Sequence, residues 1–203
     1  MYKFSYYTEH DNEKVIDFMQ QNVFALLTGL GEQYPVATQI PLTIIEKEGK
    51  IFLEGHMMRK TDHHLAFEKN NNVLVLFTGP HCYVTASWYT NPSMGSTWNY
   101  MTVHAKGKIS FMDEEGTRQA VKNLSDHYTG TQNASAFDNL PKEYIDHMVK
   151  GIVGFSIEVV SIDNVFKLSQ NRDEASQKNI IEQLKKRGDH NSAAIAAEME
   201  KRL

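Results

Sequence analysis

The sequence predicts an α+β protein, mainly β with added helices, built as a closed or nearly closed antiparallel barrel of six or more strands. Short apolar runs bounded by glycine, proline and asparagine follow one another in hairpin-like succession. Stretches of helical periodicity are interspersed among them. The segment from Ile51 to Gly107 is the most informative: it reads strand, basic turn, short helix, strand, aromatic loop, strand.

Residues 11–22 form a first helix, capped by Asp11 or Asn12, with Val15, Phe18 and Met19 as its apolar stripe. The run 23–28 (VFALLT), closed by Gly29 and Gly31, is a buried strand. Residues 36–46 (VATQIPLTIIE) form a second strand, in which Pro41 predicts an edge position, a bulge or a bend. Glu48-Gly49 turns the chain tightly into a third strand, 50–55. A short helix spans Asp62 to Lys69, released by Asn70-Asn71-Asn72. Residues 73–78 are apolar almost throughout, as in a central strand covered on both faces, and 82–86 continue as extended chain.

After a polar loop at 91–96, a long strand runs from Trp98 to Met112. A helix from Asp113 to Tyr128 places Ala120, Val121 and Leu124 inward, and Pro141 opens another up to Met148. Residues 152–162 alternate as a late strand, and 165–169 form a further short one. From Asp173 onward the pattern is helical, interrupted at Gly188-Asp189.

With 203 residues the chain suits one domain of generous size. Its 41% hydrophobic and 23% charged residues are ordinary for a globular protein. A formal charge of −4 gives no global attraction to nucleic acid or anionic membrane. The one cysteine, Cys82, forbids an intrachain disulfide and suits the reducing cytoplasm. There is no basic-then-apolar leader, and no apolar run reaches about 18 residues, so no membrane association is expected.

Arg59 and Lys60 sit between a strand and a helix opening near Thr61 or Asp62. Guanidinium, ammonium and the free N–H groups of a first helical turn together make an anion site. The bland alternative is a solvated basic pair, which opposes the helix dipole. Tyr83, Trp88, Tyr89, Trp98 and Tyr100 follow, with Thr78, Thr85, Ser87, Thr97 and Asn99 among them. Amphipathic aromatics of this kind stack on a planar ligand while neighbours bond its edge; barrel core and subunit interface are the competing roles. A phosphate clamp with flat aromatic surfaces is what a phosphorylated planar cofactor such as FMN requires. Lys167 to Arg172 (KLSQNR) ends a strand before a helix and can reach a cofactor edge or a partner subunit, or serve as a polar turn.

Other chemistries have little support. His56, His63, His64, His81 and His104 fit no zinc spacing. No Gly-x-Ser-x-Gly, Walker loop or Gly-x-Gly-x-x-Gly is present, so a flavin would not be held in the Rossmann manner. No catalytic acid or base stands out.

The segments GHMMRKTDHH, FTGPHCYVTASWY, TWNYMTVHAKGKI and IVGFSIEVVSIDNVFKLSQNR, followed by a helical tail, occur in this order along nearly the whole chain. In these the chain resembles the PaiB-type family of FMN-binding proteins, often described as negative transcriptional regulators. That family lies in the FMN-binding split-barrel group with the pyridoxamine-phosphate oxidase-like flavoproteins. The resemblance implies a split barrel of the FMN-binding type and a homodimer with two FMN sites at the subunit interface. The group holds the FMN phosphate with a Ser-Arg-Lys element, which here is Met58-Arg59-Lys60; the serine is replaced, and Thr61-Asp62 also departs from the pattern.

The cofactor-binding set is then Arg59, Lys60, Thr61, Thr78, Ser87, Trp88, Trp98, Asn99, Tyr100, Gln170 and Arg172. The expected organisation is a split-barrel domain over 1–170 with a helical insertion at 113–150, and a C-terminal helical tail over 171–203 that packs on the barrel or the dimer partner. The alternatives are a flavin-dependent oxidoreductase acting on an unknown small molecule, and a haem-binding relative. Direct DNA binding follows only from the family label: the chain is acidic, and no helix-turn-helix with a basic face is evident.

Overall fold

The computed structural model describes residues 1–2 and 4–203. Among the described residues seven strands form one sheet in the order β2-β1-β5-β6-β7-β4-β3, an antiparallel arrangement of the split-barrel type with six α-helices. The strands are β1 (Phe24–Gly29), β2 (Val36–Pro41), β3 (Thr43–Lys47), β4 (Lys50–Met58), β5 (Asn72–Val84), β6 (Thr97–Phe111) and β7 (Ile152–Lys167). The helices are α1 (Asn12–Gln21), α2 (Asp62–Lys69), α3 (Glu114–Thr129), α4 (Lys142–Gly151), α5 (Glu174–Arg187) and α6 (His190–Glu200). None of the described helices is long and apolar enough to cross a membrane.

Local chemistry explains most boundaries. Pro41 breaks the 36–46 segment into β2 and β3, and between them the Leu42 N–H turns to the Val23 carbonyl. Glu48 and Gly49 both take positive φ, 53° and 74°, and join β3 to β4 as a two-residue hairpin with Lys47 opposite Lys50. Asp113, Asp173 and Asp189 each accept the N–H three residues on and so cap α3, α5 and α6. Gly188, left-handed at φ 74°, ends α5 where a side chain would be strained.

The structure corrects several expectations. β4 runs on to Met58, three residues past Gly55. The 73–78 segment and residues 82–84 belong to one strand, β5, while Thr85 and Ala86 begin a short 3-10 turn; β7 runs unbroken from Ile152 to Lys167, and Leu168 and Ser169 lie in the bend after it. β5 alternates: Val73, Val75 and Phe77 are buried while Leu74 and Leu76 are only half-buried, so one face is open rather than both covered. β1 alternates too, and Phe24 is 64% exposed. Pro141 is the cap of α4 and not its first helical residue.

The chain forms two compact units, and β5, β6 and β7 each contribute to both. One, here the barrel unit, comprises residues 19–77 and 104–162. Its core includes Leu27, Leu53, Phe67, Phe77, Phe155 and Ile157, all fully buried. Each contributes about 1.5–3 kcal/mol over the exposed state. The other, here the tail unit, comprises residues 1–18, 78–103 and 163–203. In it Phe166, Leu168, Ile180, Leu184 and Ile195 are buried, and Phe18 packs 5.1 Å from the Phe166 ring. Glu9 ties this unit together: its N–H donates to Asn164 Oδ1 at 2.8 Å, its carbonyl accepts from Asn164 Nδ2 at 3.0 Å, and its carboxylate lies 3.4 Å from Arg202 Nη2.

Candidate functional site

In the barrel unit, β4 passes into α2 through a stiff basic turn. The Arg59 N–H donates to the Gly151 carbonyl at 3.0 Å, and Lys60 is left-handed at φ 62°. Thr61 is the N-cap of α2: its hydroxyl accepts from the His64 N–H and donates to the Met58 carbonyl at 3.1 Å. That pair of bonds closes the turn and so holds Lys60 in a conformation costing about 1–2 kcal/mol for an L-residue. Among the described residues neither the Arg59 nor the Lys60 side chain has a hydrogen-bond or ion-pair partner, whereas Lys50 and Lys69 in the same unit each reach a carboxylate at 2.6 Å. Two unpaired cations at a helix start can receive a phosphate.

In the tail unit, a concavity of about 270 Å³ is lined by Thr78, Gly79, His81, Trp98, Tyr100, Met101 and Thr102. Trp98 is 53% exposed, with the Tyr83 ring 5.9 Å away edge-on and His81 at 6.1 Å. Gly79 is required here: a Cβ would come within 2.5 Å of the Phe18 ring. Burial raises the Tyr100 phenol above its ordinary pKa, so it stays protonated and able to donate. Thr78, Trp98 and Tyr100, singled out in the sequence, are therefore brought together on one apolar surface.

The remaining residues of that set are engaged within the tail unit. Trp88 carries the Arg187 guanidinium 4.7 Å above its ring, and its carbonyl accepts from Asn179 Nδ2. Ser87 shares a hydroxyl contact of 3.1 Å with Thr85. Asn99 is fully buried, its Oδ1 accepting from the Ser169 hydroxyl and its Nδ2 facing Met199 Sδ. Gln170 bonds the Leu168 N–H and the Phe166 carbonyl, which holds the turn after β7. Arg172 stands 4.5 Å over the Tyr89 ring.

One feature escapes a reading of the sequence. Lys167 donates to the Thr97 hydroxyl and lies 5.7 Å from the ring centroids of both Tyr2 and Tyr7. Four aromatics within the first seven residues are the one available signal, but their target lies 160 positions away. Among the described residues no cluster of histidine, cysteine and acidic side chains could hold a metal ion.

A family model described as "Putative FMN-binding domain" matches residues 1–161. The chain is 33% identical to "Protease synthase and sporulation protein PAI 2" of Bacillus subtilis over 204 residues, covering 100% of this chain and 98% of that one. An uncharacterised protein of Aspergillus fumigatus is 32% identical over 157 residues, 66% of this chain and 60% of its own. Among solved structures, the flavocytochrome Anf3 from Azotobacter vinelandii superposes with a TM-score of 0.63 at 12% identity, covering 82% of this chain and 72% of that one. The FAD and haem binding protein from Mycobacterium smegmatis gives 0.60 at 13%, covering 79% and 73%. At such identities these two show the fold alone. The full-length match agrees with the resemblance carried by the motifs.

Proposed function

The chain belongs to the FMN-binding domain family that its first 161 residues match, and from this we propose that it binds FMN as a homodimer in the cytoplasm. Arg59 and Lys60 hold the phosphate, with Thr61 fixing the turn that presents them. Thr78, Trp98 and Tyr100 meet the isoalloxazine: Trp98 by stacking, the hydroxyls by bonding its edge. Ser87, Trp88, Asn99, Gln170 and Arg172 keep the loops around that surface in place. When bound, FMN supplies redox chemistry, while the chain orients it and limits its contact with water.

The observation that carries this reading is the pair of adjacent cations at the start of α2 that, among the described residues, have no partner, where Lys50 and Lys69 nearby each reach a carboxylate. Charged hydrogen bonds are worth about 1.5–3 kcal/mol each, so replacing both Arg59 and Lys60 by alanine weakens FMN by about a hundredfold or more. Riboflavin, which lacks the phosphate, keeps its affinity. Titration of both flavins against the double variant is the test, and equal losses for the two ligands overturn the clamp.

A further inference from the structure

The tail unit holds a second place where positive charge is gathered without a counter-ion. Lys167 and Arg172 are electrostatic neighbours, and among the described residues neither has a carboxylate in ion-pair range. Among the described residues the Arg172 side chain donates to the sulfur of Met94, at 3.2 Å, and to no carboxylate. Asp173, next to it in the chain, spends its carboxylate on the Ser176 N–H, the Ser176 hydroxyl and the Thr90 hydroxyl. Elsewhere in this unit Lys178, Lys185, Lys186 and Lys201 all pair with glutamates. In a chain with 25 acidic against 21 basic residues, two half-buried cations left together are an anomaly that a ligand would resolve.

A second observation is independent of charge. Tyr89, whose ring lies under Arg172, is 6% exposed, and among the described residues its hydroxyl has no hydrogen-bond partner. A buried, unsatisfied hydroxyl costs folding free energy unless something bonds it. Tyr7, 7% exposed, senses both Arg172 and Tyr89 electrostatically and stands beside Lys167. The cluster is thus one guanidinium over the Tyr89 ring and one ammonium beside the Tyr2 and Tyr7 rings.

We propose that Lys167, Arg172, Tyr7 and Tyr89 form a binding site for a small aromatic carboxylate. A guanidinium fork and an ammonium suit the two coplanar oxygens, and the phenol hydroxyl supplies a third donor. The phenol rings offer flat apolar walls to the body of the ligand. Burial and the neighbouring Arg172 depress the Lys167 pKa, as expected for a cation awaiting an anion. The site needs no flavin.

The test uses the full chain free of FMN, titrated calorimetrically with benzoate, benzamide and inorganic phosphate. Benzoate binds, and neutral benzamide binds about tenfold more weakly or worse. Lys167→Met weakens benzoate by about tenfold or more. Tyr89→Phe keeps the ring under Arg172, weakens benzoate measurably, and leaves the melting temperature unchanged or raised because an unsatisfied hydroxyl is gone. Both variants bind FMN as the parent chain does. Absence of benzoate binding, equal affinity for benzamide, or unchanged benzoate affinity in both variants overturns the site. Phosphate binding tighter than benzoate overturns the carboxylate assignment. Because the titration is done without flavin, failure of the phosphate clamp at Arg59 and Lys60 leaves its outcome readable.

Discussion

Arg187 stands over the indole of Trp88 at 4.7 Å and donates to the Tyr83 carbonyl at 2.9 Å, so the last turn of α5 is bolted to the end of β5 and to the turn that follows it. One face of that indole is already taken. Trp98, 53% exposed, is the tryptophan with open surface.

The two indoles therefore separate by substitution. Trp98→Ala weakens FMN by about tenfold or more, the worth of one ring stacked on an aromatic side chain. Trp88→Ala lowers the melting temperature instead, by the loss of a cation–π contact worth about 0.5–1 kcal/mol together with its packing. Flavin fluorescence titration and thermal denaturation of both variants read this out. A larger flavin loss in Trp88→Ala would reverse the assignment.

Lys60 offers a way to part backbone from charge. Lys60→Gly and Lys60→Ala both delete the ammonium, but only glycine is at ease at φ 62°. The glycine variant is expected to be more stable than the alanine variant by about 1 kcal/mol, with the same loss of FMN affinity. Urea titrations side by side measure the first, flavin binding the second.

Gly79 is held to its identity by Phe18, whose ring would lie 2.5 Å from a new Cβ. Gly79→Ala should cost about 1–3 kcal/mol by overpacking. Phe18→Leu in the same chain recovers part of that cost, so a double-mutant cycle shows coupling. Simple additivity would refute the contact.

His56 on β4 titrates below its ordinary value of 6.5 because burial disfavours its charged form. Between 6.5 and the lower folded value the unfolded chain binds a proton that the folded chain does not. Stability contributed by His56 is therefore full above pH 6.5 and falls as the solution is acidified through that window. His56→Gln should flatten the pH dependence of the urea midpoint between pH 7.5 and 5.5 relative to the parent; an identical slope in both proteins would disprove it.

Cys82 is 4% exposed, and desolvation pushes its thiol up to about 11. At pH 8 it should resist a thiol reagent until denaturant is added, because the attacking thiolate is scarce and hidden. Rapid labelling of the native chain would contradict this.

How much of this was legible depends on the range of the forces. The helix Asp62–Lys69 reads directly, because Thr61 caps it and the asparagines that follow release it. The break between α5 and α6 is equally local, with Gly188 left-handed and Asp189 capping. The continuity of β5 through Gly79-Pro80 and of β7 through Asp163-Asn164 was not legible, since turn-forming residues are held in a long strand by neighbouring strands rather than by their own preferences. The cation at position 60 could be picked out, but its left-handed backbone could not. The gathering of Tyr2 and Tyr7 over Lys167 is tertiary and leaves no trace in local pattern.

The clasp of Glu9 on Asn164 and Arg202 makes the two extremities of the polypeptide mechanically one. Trimming the final residues would strip the Glu9 carboxylate of its Arg202 partner, while the two bonds between the Glu9 backbone and Asn164 would stay.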